Sequence, residues 1–136
     1  MKSEISDKNP YYIPKHRYYE LYHFCRQYPI WKNAYDSLVA LARRPWDLAL
    51  FGTNEHGDPT ARCAEAREYY FLRMQMIEHT IEKVDTDGTL YGWLLMNVTE
   101  NVSYDAMNAK YGMPVSRDEF YKRRREFFWH LSNSRE

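Results

Sequence analysis

Cysteine is scarce in this chain: among 136 residues only Cys25 and Cys63 occur, and they form no CxxC pair. Two isolated thiols supply neither a disulfide framework nor a zinc knuckle, and such usage fits a reducing cytosol. The five histidines, His16, His23, His56, His79 and His130, show no HxH, HxxxH or HExxH spacing, so no metal site is expected. Phosphate-cradling GxGxxG and Walker A loops are missing, as is a GxSxG nucleophile turn, so neither a cofactor nor a nucleophilic enzyme is indicated. Carboxylates are plentiful between residues 55 and 105, but at spacings common on helical surfaces, and no acid–base dyad stands out. No residue pattern points to catalysis. Nor does any apolar run approach the roughly 18 residues of a membrane span. Mean hydropathy is −0.78, and the opening MKSEISDKNP has no apolar stretch behind its charges. A cytoplasmic protein with neither membrane segment nor signal peptide is therefore expected.

What the chain does have is apolar and aromatic mass. Hydrophobic residues make up 44% and aromatics 17%, including 13 tyrosines, enough for a packed core. A tyrosine ring packs while its hydroxyl stays polar, which suits boundaries and binding surfaces. The net charge is zero but unevenly laid out. Residues 1–50 carry eight Lys/Arg against five Asp/Glu, residues 51–109 four against ten, and residues 110–136 seven against four. A neutral total with basic ends is compatible with a local nucleic-acid surface and argues against indiscriminate coating of DNA.

Helical spacing dominates and strand signals are weak. A helix opens near Pro14, with Tyr18, Leu21, Tyr22, Cys25 and Tyr28 on one face, and Pro29 is expected to end or redirect it. A second runs from Ile30 to Ala42 and is stopped by Pro45. The stretch Trp46–Phe51 has no firm assignment, and Gly52–Gly57 reads as a loop. Asp58-Pro59-Thr60 opens a long amphipathic helix, Asp58 as N-cap and Pro59 in its first position. There Cys63, Tyr70, Ile77 and Val84 recur every seven residues for about seven turns. Asp85–Gly88 closes it, and a short helix follows over Leu90 to Thr99. The expected division is an N-terminal helical pair in residues 1–51, for packing or dimer contact, and a long helix with a DNA-binding region in 52–136.

The last 35 residues carry the functional argument. Ser103 caps a helix over Tyr104–Tyr111, Gly112 ends it and Pro114 blocks its continuation. Ser116-Arg117-Asp118-Glu119 reads as a capping box in front of a final helix from Arg117 to about Leu131. Phe120, Phe127 and Leu131 share a narrow stripe flanked by Arg124 and Phe128, with Arg117, Tyr121, Lys122 and Arg125 assigned outside it. Short helix, glycine turn and longer basic helix make a helix-turn-helix. The first helix braces the second, whose opening turns can then enter a DNA major groove. The candidate DNA-binding residues are Ser116, Arg117, Tyr121, Lys122, Arg123 and Arg125. Arg124, at the angle of the apolar stripe, is assigned to packing or an internal ion pair. Trp129 lies off the stripe and is assigned to a possible subunit contact.

Ser103-Tyr104-Asp105-Ala106-Met107 through Gly112 and Val115-Ser116 resembles the region-4 helix-turn-helix of sigma factors. Together with Asp58-Pro59-Thr60 and Phe120–Phe128, roughly residues 56–131 are similar to ArpU/RinA-like late-gene regulators of phages and prophages of Gram-positive bacteria. The pattern departs from sigma-type motifs at Asp118, where those carry a buried aliphatic residue. The resemblance implies an all-α regulator that binds double-stranded DNA at a promoter, as a homodimer or beside RNA polymerase. Two other readings stay open: a small terminase-like DNA-packaging adaptor, and a helical protein-interaction module whose arginines are only solvated.

Overall fold

In a computed structural model of the chain, residues 8–44, 46 and 58–135 are described. Among them the protein is all-α, a helical bundle of the expected class, with six helices: α1 Lys15–Arg26, α2 Tyr28–Ala42, α3 Pro59–Val84, α4 Tyr91–Glu100, α5 Tyr104–Tyr111 and α6 Arg117–Ser134. The loop expected at Gly52–Gly57, most of Trp46–Phe51 and the stop at Pro45 lie outside the described residues. None of the helices in the described residues is long and apolar enough to cross a membrane.

The ends follow local chemistry. Pro14, extended at φ −62°, stands just ahead of α1. The break after α1 comes earlier than the proline pattern suggests: Gln27 is its C-cap, and Tyr28 with Pro29 heads α2. Proline redirects the chain here by joining the first turn of the next helix, where its missing N–H costs nothing. Asp58 accepts from the N–H of Thr60 at 3.0 Å and so caps α3 as expected. Asn101, left-handed at φ 59°, closes α4 with its N–H on the Asn97 carbonyl at 3.0 Å. Asparagine is one of the few side chains that tolerates this conformation.

The chain divides differently from the expected break at residue 51. One unit joins Met1–Gln27 to Met76–Glu136, and the other is Tyr28–Gln75. The reason is the face of α1. Its Tyr18, Leu21, Phe24 and Cys25 are buried, and α1 packs on α4 and α6. The two N-terminal helices therefore belong to different units, and α3 gives residues 76–84 to the first unit and residues 59–75 to the other.

In the first unit the core is built on the aromatic side of α6. Phe120, Phe127 and Leu131 are fully enclosed, joined by Ile77 and Ile81 of α3 and Leu94 of α4. Tyr18 of α1 meets Phe128 edge-on with ring centroids 5.0 Å apart. Burying one such phenylalanine contributes on the order of 2–3 kcal/mol. The rear of α6 is fastened as well: Arg17 donates to Ser132 Oγ at 3.0 Å, to the Ser132 carbonyl at 2.9 Å and to the Arg135 carbonyl. Trp129, assigned above to a subunit contact, packs edge-on against Tyr11 of its own chain at 5.5 Å. It sits where the turn before α1 crosses α6, a relation that periodicity along one helix does not contain. Ahead of it, Asn9 Oδ1 accepts from Tyr11 N at 2.8 Å in an Asx turn.

In the second unit, Trp31 of α2 and Cys63 of α3 are buried. The Cys63 thiol donates to the Leu38 carbonyl at 3.6 Å, and Tyr35 faces Phe71 at 6.1 Å. Cys25 is fully buried, and desolvation pushes its thiol far above the usual range. Both cysteines therefore sit in the packed interior, as their apolar faces predict.

Candidate nucleic-acid interface

Helix α5, the turn 112–116 and helix α6 form the helix-turn-helix element. Ser103 Oγ accepts from Ala106 N at 3.1 Å and caps α5. Gly112 ends it at φ 74°, a value that side-chain-bearing residues rarely adopt. Its N–H bonds the Asn108 carbonyl at 3.0 Å, and Asn108 Oδ1 takes Met113 N at 2.9 Å. Two contacts then set α5 against α6. Tyr104 is buried against Phe120 with centroids 5.7 Å apart, and its hydroxyl donates to the Val115 carbonyl at 2.6 Å. Met107 is enclosed beside it. The brace expected of the first helix is thus a tyrosine and a methionine, with a hydrogen bond that fixes the turn.

Ser116 caps α6 by accepting from Glu119 N at 3.2 Å. The second half of the capping box is replaced. Glu119 turns its carboxylate forward to Arg123 Nε at 3.1 Å, instead of back to the cap. An i,i+4 ion pair and a charge at the helix start both favour this arrangement.

The six candidate residues fall into separate groups. Ser116 is exposed, but its hydroxyl is committed to the cap. Arg117 is exposed and pairs with Asp105 of α5 at 2.6 Å, with its guanidinium 5.4 Å from the Tyr121 ring centroid. Its helical angle is close to that of the apolar stripe. It escapes the core only because it lies in the first turn, where that side of α6 faces the open start of α5. The bond and charge of Asp105 raise Arg117 above its already high ordinary pKa, so its positive charge is permanent. Tyr121 is half-buried, edge-on to Phe120 at 5.5 Å. Arg123 is engaged twice, with Glu119 and with the Val84 carbonyl at 2.8 Å, where its charge meets the C-terminal end of α3. Lys122 is exposed and Arg125 half-buried, and neither charged end has a partner among the described residues.

Arg124 takes the internal role its angle predicts. It is 2% exposed and donates from Nε to Asn97 Oδ1 at 2.6 Å. Asn97 in turn donates from Nδ2 to the Val102 carbonyl at 2.9 Å. The guanidinium also lies over the Phe128 ring at 4.8 Å and the Tyr18 ring at 5.7 Å. Burial raises the Tyr18 hydroxyl pKa, an effect opposed by the charge and hydrogen bond of Arg124. One side chain thus ties α1, α4, the 101–103 turn and α6 together, and it sets the rear of α6 on the bundle.

Sequence reasoning missed two members of this arrangement, Asp105 and Asn97. Asp105 lies twelve residues before its partner, across a turn. Asn97 is 27 residues from Arg124. The one sequence signal for the second is an asparagine between the apolar residues Leu94 and Val98 of the fourth helix. Among the described residues no group of three His, Cys, Asp or Glu side chains converges to hold a metal. No family model, curated protein or solved structure matches the chain.

Proposed function

We propose that the protein binds double-stranded DNA in a sequence-specific way through the helix-turn-helix of α5 and α6, as a transcription regulator of the phage type. The observation that carries this reading is the division of α6. Its phenylalanines and Arg124 are buried in the bundle, while Arg117, Tyr121, Lys122 and Arg125 remain at least partly open on its first turns. A helix held by its buried side, with donors open along its first turns, is what a major groove about 12 Å wide accepts. Arg117 and Tyr121 are placed for base edges, and Lys122 and Arg125 for base edges or phosphates. Ser116 supports the site by setting where α6 begins. Arg123, tied to Val84 and Glu119, reaches DNA only by leaving those partners.

One motif makes few base contacts, so a homodimer on paired half-sites, or binding beside RNA polymerase, completes the proposal. Selection of bound fragments from random duplex DNA at ~0.15 M salt tests it. Enrichment of a motif with salt-sensitive retention is expected. A lack of both overturns it.

The engagement of Arg123 and Arg124 inside the fold favours a second reading, a protein-interaction module. Two of the four consecutive basic residues are then structural, and Tyr69, Phe71 and Leu72 of the second unit are exposed. Salt-independent behaviour on duplex DNA would select this reading.

A further inference from the structure

The contact between Asp105 and Arg117 is built without burial: the arginine side chain is 58% exposed and the aspartate 72%. An ion pair this open contributes little to stability, so the fold does not account for it. Its geometry is specific all the same. Asp105 Oδ2 takes one terminal nitrogen of the guanidinium at 2.6 Å, and Tyr121 flanks the group. The other terminal nitrogen and Nε donate to no described residue. Two of the five N–H bonds in a planar fork suffice for the O6 and N7 acceptors of guanine, the commonest specific arginine contact in a major groove. An untethered arginine loses rotamer freedom on making that contact, whereas one held at its far nitrogen has lost part of it beforehand. Arg117 is also the first residue of α6, and the N-terminal residues of a recognition helix are the ones that meet base edges.

We propose that Asp105 is a positioning residue that holds Arg117 as a guanine reader, so that each half-site of the bound duplex carries a guanine set by this pair. The inference rests on the DNA-binding reading above. A carboxylate near phosphates otherwise weakens binding to every sequence alike, so its presence is explained by selectivity and not by affinity.

The test compares fragments selected from random duplex DNA by the full chain and by the variants Asp105→Asn, Arg117→Ala and Arg117→Lys, with thermal melting of each. The unchanged chain is expected to select guanine at one fixed position of its motif. Asp105→Asn lowers that preference about tenfold at this position alone, with unchanged melting. Arg117→Ala abolishes it, and Arg117→Lys does not restore it, because an ammonium is a point charge without a fork. A motif with the same guanine preference in Asp105→Asn overturns the inference while leaving DNA binding intact. So does a uniform change over all positions, or a motif with no guanine that depends on Arg117. Failure of the unchanged chain to select any motif or to be retained in a salt-sensitive way overturns the DNA-binding reading itself.

Discussion

Arg117 and Arg124 lie seven residues apart on α6, and their surroundings share almost nothing. Arg124 is enclosed by Tyr18, Asn97 and Phe128, with a 2.6 Å bond to an uncharged amide oxygen. Arg117 stands in water beside a carboxylate that is itself open. Electrostatics act far more strongly in the interior than at the surface, so the first contact bears on stability and the second hardly does. The rear of α6 uses its charge to hold the helix in place. On the open side, Lys122 and Arg125 carry charge that no described residue pairs with. The comparison teaches that a basic run cannot be read as one surface, because Lys122-Arg123-Arg124-Arg125 divides into two residues spent on the fold and two available outside it.

The comparison breaks most easily at the rear. Phe127→Ala removes a fully buried ring and should cost about 3–5 kcal/mol in urea unfolding. If the loss were under 1 kcal/mol, the aromatic face would not be what anchors α6. Asn97→Ala is expected to cost about 2–3 kcal/mol, since it removes the buried Arg124 cation's 2.6 Å bond to the Asn97 amide oxygen. The same change should weaken DNA binding only by lowering the folded fraction, which binding measured well below the melting temperature checks.

At the front the expectation reverses. Replacing both Lys122 and Arg125 with Ala should change stability by less than about 1 kcal/mol. It should also lower the slope of log affinity against log salt by up to about 2, as two phosphate contacts disappear. Undiminished, equally salt-sensitive binding would remove these residues from the interface.

The smallest effect sharpens the comparison in the turn before α4. Asp85 is buried and accepts from Leu90 N at 2.8 Å. Desolvation raises its carboxyl above the usual range, with Asp87 adding to the rise. Its folded-state pKa is therefore the higher one. The stability it gives is fully present below the ordinary value of about 4 and is lost as pH rises through the raised value. Asp85→Asn keeps an acceptor and removes the titration. Relative to the unchanged chain it should gain stability as pH climbs from about 4 to 7, by urea midpoints. Asp87 is shifted downward by its bonds to Thr89 and Asp85, and its contribution runs the other way, lost as pH falls below the ordinary range. A midpoint difference independent of pH would show that Asp85 is not strained by burial.

Much of the local architecture was legible from the residues. Asp58, Ser103 and Ser116 read as caps because a short side-chain acceptor in front of an apolar-periodic segment satisfies N–H groups that the helix leaves open, and each accepts such a bond. Gly112 was identified as a stop, and Arg124 as internal from its angle among Phe120, Phe127 and Leu131. What spacing along one helix does not contain has one physical origin, the packing of distant segments. Trp129 lies off the stripe by its angle, and its contact with Tyr11 of the same chain comes from a segment 118 residues away. A break at residue 51 follows the loop signal, while the packing of α1 on α4 and α6 places α1 and α2 in different compact units. Arg117 is exposed in the first turn of α6 although its angle is close to that of the apolar stripe.

The sequence by itself determined which of the described segments are helices and most of their caps and stops. These follow from caps, prolines, glycine and periodicity, all interactions within a few residues. Only the tertiary structure decided which partners the arginines take. Asp105, Asn97 and the Val84 carbonyl reach them from twelve, 27 and 39 residues away, and contacts at such separations depend on how the helices pack and not on the spacing along any one of them.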